Sequence, residues 1–139
     1  METGVLMFIM ETTTGNANYA NEVLRLVNAE RAKAGLPVYT TTRPLASAAN
    51  KRAQEIITSF SHTRPNGSSF FTVLREYGIP FRTAGENIAY GQKTPQEVVA
   101  SWMKSPGHRR NILNPNFKKI GIGVAQKNGR YEWTQLFTN

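Results

Sequence analysis

The 139-residue chain contains no cysteine, which excludes disulfides, thiolate metal sites and cysteine nucleophiles. The absence of disulfides fits a cytosolic protein and equally a bacterial extracellular one. Apolar runs stay well short of the roughly 20 residues that a membrane-spanning helix needs, so we predict no transmembrane segment. Several catalytic and nucleotide-binding motifs are also missing, including H-E-x-x-H, G-x-S-x-G, the P-loop and G-x-G-x-x-G. The missing motifs argue against the enzyme classes that use them.

Acidic residues are scarce: there are 9 Asp and Glu against 17 Lys and Arg, which gives a net charge of +8. Such a balance favours anionic partners, namely nucleic acid, anionic lipid or an acidic wall polymer, although solubility alone would also explain it. The basic residues are scattered, with pairs at Arg109-Arg110 and Lys118-Lys119, and form no dense stripe. Nucleic acid is therefore the least favoured partner. The sequence leaves the oligomeric state open.

The N-terminus carries six apolar residues, Val5 to Met10, between Glu2 and Glu11. A secretion signal needs a basic start and a longer apolar stretch, so this segment does not match one. A short strand, an added leader and the remnant of a trimmed signal all remain open. We predict that residues 1–16 are a leader of uncertain role, with a loop over residues 12–15, and that residues 17–139 form a single domain.

Helical periodicity and capping residues predict the helices. Apolar positions spaced i, i+3, i+4 and i+7 indicate a first helix, capped by Asn18 and ended by Gly35. A second helix is predicted over residues 42–59 and a third over residues 69–77. Thr94 to Glu97 matches a capping box with proline at the first helical position, which predicts a fourth helix there.

Alternation and a turn signal predict a C-terminal hairpin. Asn128-Gly129 separates two strand-like runs, residues 119–126 and residues 130–137. In the first run, bulky Ile and Val alternate with small residues, including Gly121 and Gly123, which allows a helix to approach the second face closely. We therefore predict an α/β fold in which helices cover both faces of the sheet.

The candidate functional residues are the chain's two histidines, His62 and His108, and Glu86. All three are predicted at element ends, where side chains from distant segments can converge. Two imidazoles with one carboxylate suit a divalent transition metal, with water completing the shell, and the same set could transfer protons. The plainer interpretation is that each histidine caps a helix or lies in solvent. Other acids, including Glu55, are predicted to lie on solvated helix faces.

A helix break in front of His108 bears on the protonation of that residue. In Lys104-Ser-Pro-Gly-His-Arg, Pro106 cannot continue the preceding helix. Ser105 is predicted to cap a new short helix that begins at Pro106. His108 then lies in the first turn, where the helix dipole disfavours imidazolium and favours the neutral ring that a metal needs. Arg109 either lines the mouth of a cleft or lies on the solvated face.

Taken in order, these segments resemble the CAP superfamily of cysteine-rich secretory, antigen 5 and pathogenesis-related proteins, in its cysteine-free bacterial branch. The resemblance runs from about residue 17 to the end. It rests on several segments: VNAERAKAGLP, SH at residues 61–62, GENIA at residues 85–89, SWMKSPGHRRNILNPNF at residues 101–117, IGIGVA at residues 120–125 and YEWTQLF at residues 131–137.

The resemblance implies a three-layer α-β-α sandwich with a central, mostly antiparallel sheet. It implies a cleft in which His62, His108 and Glu86 hold zinc or another divalent cation, lined by Asn87, Ser105 and Arg109. The family's second acid usually follows a tryptophan as W-x-x-E, and Ser105 stands at that position here. The T-Q-x-V-W signature after the last histidine is also absent.

The missing second acid favours a non-enzymatic module over an enzyme. The resemblance implies a secreted or cell-envelope protein that binds a lipid, an anionic wall polymer or a protein partner. The alternative is a metal-dependent, protease-like hydrolase in which Glu86 is the general base.

Overall fold

The structure, a computed structural model, describes the backbone of residues 2–139 and the side chains of residues 15–139. The elements of this part of the chain are, in order, α1 (Glu2–Lys33), α2 (Arg43–Thr58), α3 (Thr72–Glu76), β1 (Ala84–Tyr90), α4 (Pro95–Lys104), α5 (Pro106–Ile112), β2 (Lys119–Lys127) and β3 (Arg130–Thr138). Among the described residues, no helix is both long enough and apolar enough to cross a bilayer.

Helix α1 begins earlier than the sequence predicts. It extends from Glu2 to Lys33, so Asn18 lies inside the helix and does not cap it, and residues 12–15 are helical and do not form a loop. Threonine and glycine cost a helix only about 1 kcal/mol each or less, and these residues therefore do not have to end one. Residues 5–10 are helical too, which removes the short-strand alternative. Most side chains of the predicted leader, residues 1–16, lie outside the described residues.

The caps of α2 and α4 form as predicted. The Thr42 hydroxyl accepts the Leu45 amide at 3.3 Å, and the Thr94 hydroxyl accepts the Glu97 amide at 3.1 Å. The Glu97 carboxylate accepts from the Lys93 amide, one residue ahead of the expected position. Each cap satisfies amides that the first helical turn would otherwise leave unpaired.

Helix α3 is shorter than predicted and covers only Thr72–Glu76. The residues before it are held in a loop, because the Phe70 amide donates to the His62 carbonyl at 2.8 Å. This bond fixes the segment that follows His62 against the segment that leads into α3.

The sheet is antiparallel with strand order β1-β3-β2. Strands β2 and β3 form the predicted hairpin, with Asn128 at φ 54° and Gly129 at φ 79° in its turn. Two positive φ values fit a type I′ turn, whose twist matches that of the strands.

Helices cover both faces of this sheet. Val23 and Val27 of α1 pack with Trp102 of α4 and with Trp133 and Phe137 of β3 on one face. Helices α2 and α3 pack against Leu136 on the other face. The predicted three-layer α-β-α sandwich is confirmed. It places the C-terminal end of α2, the strand β1 and the start of α5 side by side.

Candidate functional site

A buried ion pair lies beneath the predicted site. Glu86 projects from β1 toward α2, where the side chain of Arg52 is completely buried. Arg52 Nε donates to Glu86 Oε2 at 2.7 Å, and Arg52 Nη2 donates to Oε1 at 3.0 Å. Arg52 also binds the Ser61 carbonyl at 2.7 Å and Glu55 at 2.8 Å. This bidentate geometry fixes the carboxylate in one orientation.

His62 is oriented by the same carboxylate. Its Nδ1 lies 2.8 Å from Glu86 Oε1, and its side chain is 57% exposed. A carboxylate oxygen that already accepts from arginine can only accept again, so Nδ1 carries a proton, and in the neutral ring Nε2 has the lone pair. The arrangement matches the carboxylate–histidine pairs that orient metal-ligating imidazoles in other proteins.

His108 has a pKa below its ordinary value. Burial is the main cause, and the charge that His62 can carry nearby lowers the pKa further. The ring is therefore neutral at neutral pH, and its buried Nδ1 has no hydrogen-bond partner among the described residues. The prediction that α5 begins at Pro106 and carries His108 in its first turn is confirmed, and the lowered pKa agrees with the predicted neutral ring. The Ser105 hydroxyl makes no cap bond, and α5 is held at its start by the Arg109 amide, which donates to the Ser105 carbonyl at 2.8 Å.

A cleft of about 290 Å³ opens beside His108. Its lining, called the His108 cleft below, consists of Phe60, Ile88, Ala89, Tyr90, Gln92, Ser101, Trp102, Ser105 and His108. Phe60 and Tyr90 are each 48% exposed and pack edge to face with ring centroids 4.8 Å apart. The Arg130 guanidinium lies 4.7 Å from the centre of the Tyr90 ring. The cleft therefore combines an apolar wall, a neutral imidazole and a nearby cation, and no carboxylate lines it.

Residues 24–137 match the family model described as CAP, the cysteine-rich secretory protein family. The chain belongs to the CAP family. Its cysteine-free sequence fits the predicted cysteine-free branch.

Comparison with individual proteins agrees with this membership. The protein YkwD of Bacillus subtilis (strain 168) is 46% identical over 121 residues, which are 86% of this chain and 46% of YkwD. An extracellular protein containing an SCP domain from Bacillus anthracis is 28% identical with a TM-score of 0.83, over 89% of this chain and 41% of that chain. An outer surface protein of Borrelia burgdorferi shares the fold, with a TM-score of 0.76 at 22% identity, over 84% of this chain and 88% of that chain. The chain spans less than half the length of YkwD and of the Bacillus anthracis chain.

The CAP site residues predicted from the sequence have different surroundings. Glu86 contacts His62, and the charge that His62 can carry lowers the pKa of His108. Ser105 lines the His108 cleft, whereas Arg109 is exposed and does not line it. Asn87 was predicted on the cleft surface but is completely buried. Its amide donates to the His108 carbonyl at 3.0 Å, so it holds α5 against β1 from behind the cleft.

The CAP cleft does not form the predicted three-ligand metal set. Within the part of the chain that has described side chains, no group of three or more histidine and acidic residues is arranged to hold a metal ion. The physical reason lies at Glu86, whose two oxygens already accept hydrogen bonds from Arg52 and His62. Glu86 is therefore engaged within the protein and orients the His62 ring.

One part of the CAP site was missed at the sequence level. Glu55 was assigned to a solvated face, yet Arg52 and Arg64 both bind it, with Arg64 Nη2 at 2.7 Å from Oε2. Arg64 is itself nearly buried and reaches Glu76 at 2.7 Å. These pairs fix the loop that carries His62. Arg52 in the apolar stripe of α2 was the available signal, because a buried guanidinium needs several acceptors and carboxylates are among the strongest.

Proposed function

We propose that this CAP domain is an extracellular, non-enzymatic binding module whose ligand occupies the His108 cleft. The proteins it resembles support the location, since one is named as an extracellular protein and another as an outer surface protein. The cleft supports binding because its apolar wall and few convergent polar groups are typical of small-ligand sites.

The engagement of Glu86 is the observation that favours binding over hydrolysis. A general base needs a lone pair directed at the water it activates. Both Glu86 oxygens instead accept hydrogen bonds within the protein, and the carboxylate is completely buried. The position at which CAP relatives usually carry a second acid is occupied by Ser105, which is a poor proton acceptor at neutral pH. The protease-like alternative therefore lacks Glu86 as its general base in this arrangement.

We further propose that His62 and His108 would hold a divalent transition-metal ion such as zinc at the mouth of the cleft. His62 is oriented by Glu86 and keeps Nε2 as an acceptor, while the lowered pKa of His108 keeps that ring neutral. Imidazole is a preferred ligand of such ions. Two protein ligands leave coordination positions open, so the ion would supply a positive anchor for an oxygen atom of the ligand.

The cleft and the overall charge favour a ligand that has an apolar portion and a negative group. Phe60 and Tyr90 offer aromatic surface, and Arg130 beside Tyr90 adds a positive charge. The net charge of +8 attracts anionic surfaces in general. A lipid fits this description best, ahead of an anionic wall polymer or a protein partner.

Zinc titration by calorimetry tests the metal-binding part of the proposal. The unmodified protein should bind zinc with saturable heat at neutral pH, and the double variant His62→Ala, His108→Ala should give none. Glu86→Gln should weaken binding about 10- to 100-fold, because loss of an orienting carboxylate typically has that effect. Phe60→Ala, which changes the wall but no imidazole, is the matched control and should bind zinc normally.

Two results would contradict this function. Absence of zinc binding by the unmodified protein would contradict the proposed metal site. Ligand binding in the His108 cleft would still be supported if the protein binds lipid vesicles and Phe60→Ala abolishes that binding. Turnover of peptide or ester substrates that a chelator stops and zinc restores would establish the hydrolase instead.

A further inference from the structure

A second cavity in the described part of the chain lies outside the CAP site. It is a groove of about 430 Å³ along the free edge of β2, between α1 and α2, and is called the β2-edge groove below. Asn16, Asn50 and Gln54 line it, together with Tyr77 and the main chain at Val124. Asn16 precedes residues 24–137, the part that matches the CAP family model.

Two asparagines in this groove are anchored on the same residue. The Val124 amide donates to Asn50 Oδ1 at 3.1 Å, and the Val124 carbonyl accepts from Asn16 Nδ2 at 3.3 Å. The orientation of both side-chain amides is thereby fixed, since a main-chain N–H needs an oxygen and a carbonyl needs an N–H.

The opposite ends of the two amides are available to a ligand. Asn50 Nδ2 is a donor and Asn16 Oδ1 is an acceptor, and neither makes a hydrogen bond to another described side chain or strand. The two asparagines flank Val124 from α2 and α1, and both line the same groove. A ligand that pairs with both must itself carry one acceptor and one donor in close succession, as a secondary amide does.

We propose that the β2-edge groove binds an N-acetylated amino sugar through its acetamido group. The acetamido carbonyl accepts from Asn50 Nδ2, and its N–H donates to Asn16 Oδ1. Tyr77, which is 38% exposed, offers a ring face to the sugar, and Gln54 offers further amide groups to its hydroxyls. The volume of the groove lies within the range of small-ligand sites.

An extended peptide also carries secondary amides, but the groove favours the sugar. A peptide strand would pair with the main chain of β2, and at Val124 the side chains of Asn16 and Asn50 already occupy both main-chain groups. The peptide would have to displace both asparagines, whereas the sugar uses them as they stand. This inference does not depend on the function proposed for the His108 cleft.

The test uses the full chain, isotopically labelled and titrated with tri-N-acetylchitotriose by NMR. Saturable shifts should appear at the Asn50 side-chain amide and at the Tyr77 ring. Cellotriose, which has the same linkage without acetamido groups, should produce none. The double variant His62→Ala, His108→Ala should bind chitotriose normally, which separates this site from the cleft.

Asn50→Asp is the decisive variant, because aspartate keeps an oxygen for the Val124 amide and replaces the free donor by a charged acceptor. It should weaken chitotriose binding about tenfold, the usual effect of one lost hydrogen bond. Asn66→Asp makes the same charge change outside the groove and should bind as the unmodified protein does. Tyr77→Ala, an exposed substitution, should also weaken binding.

Three outcomes would overturn the inference. They are equal binding of cellotriose, unchanged binding by Asn50→Asp, and shifts from chitotriose confined to the His108 cleft.

Discussion

At the scale of single residues, buried charges are stabilised in two ways. The first is an ion pair with an opposite charge, and the second is a set of hydrogen bonds to main-chain carbonyl groups. Arg31 shows the second solution: its buried guanidinium donates to the carbonyls of Pro37, Ile112, Asn114 and Phe117 and to the Tyr39 hydroxyl. It has no carboxylate partner among the described side chains. Its hydrogen bonds connect the end of α1 to the loop that leads into β2.

The Arg52–Glu86 pair is the buried ion pair of the first kind, and it yields a stability prediction. Glu86→Gln leaves the buried Arg52 guanidinium without its full counter-charge, so we expect a loss of about 3 kcal/mol in the free energy of unfolding. Urea denaturation followed by circular dichroism measures it. Glu22→Gln, in an exposed pair with Arg25, is the matched control and should leave stability unchanged. Similar midpoints for both variants would show that the buried pair contributes little.

The sequence could identify these charged residues but could not identify the partners of each. Arg52 and Glu86 are 34 positions apart, and only the approach of α2 to β1 brings them together. Glu55 looked solvated because its partners, Arg52 and Arg64, come from the helix interior and from a loop of irregular backbone. The histidines were recognisable because the chain has only two, whereas the role of Glu86 depends on hydrogen bonds that no local pattern encodes.

At the scale of elements, the packing of α2 on β2 depends on two glycines. A Cβ added to Gly121 would lie 2.7 Å from the carbonyl carbon of Leu45, and one added to Gly123 would lie 2.7 Å from the amide nitrogen of Asn50. Real Cβ atoms do not approach backbone this closely, so one element would have to move away from the other. Alternating glycines in β2 predicted this approach from the sequence alone.

Gly123→Ala should therefore destabilise the protein by more than about 3 kcal/mol, because the obstacle is helix backbone that cannot rotate aside. Gly107→Ala is the matched control. Gly107 lies in α5 with open space around the added Cβ, and alanine there should stabilise by about 0.5 kcal/mol. Thermal denaturation of both variants distinguishes them, and a Gly123→Ala midpoint near that of the parent would contradict the packing described here.

Elements with strong local signals were predicted well, and those governed by distant contacts were not. The caps at Thr42 and Thr94 and the turn at Asn128 depend on neighbouring residues, so the sequence alone revealed them. The length of α3 depends on the bond between the Phe70 amide and the His62 carbonyl, which periodicity does not record. The α-β-α layering followed from helices flanking a hairpin that is apolar on one face and lined by small residues on the other.

At the scale of the whole molecule, lowering the pH should reduce the stability of the folded state in two steps. Burial and the neighbouring His62 lower the pKa of His108 below its ordinary 6.5, so the unfolded chain binds a proton first as the pH falls. This contribution to stability is complete above about pH 6.5 and is lost below it. Burial alone would raise the pKa of Glu55, but hydrogen bonds from Arg64 and Arg52 outweigh it, so the pKa lies below 4.5. The contribution of Glu55 to stability is therefore lost only as the pH falls below about 4.5.

Melting temperatures measured from about pH 8 to about pH 3 should therefore fall first below about pH 6.5 and again below about pH 4.5. His108→Gln should remove the upper step and keep the lower one. Glu55→Gln should lower stability at neutral pH and flatten the lower step. A single transition near pH 4 in the parent would show that His108 titrates normally.

Both outer strands of the small sheet have main-chain groups covered by side chains from the helices. Asn16 and Asn50 bind the main chain of β2 at Val124, while Asn111 and Trp102 donate to carbonyls of β1. Exposed strand edges are templates on which a second copy can add its own strand. Two copies meeting edge to edge would have to break these bonds before pairing. We expect the chain to resist fibril growth at concentrations at which a bare three-stranded sheet would polymerise.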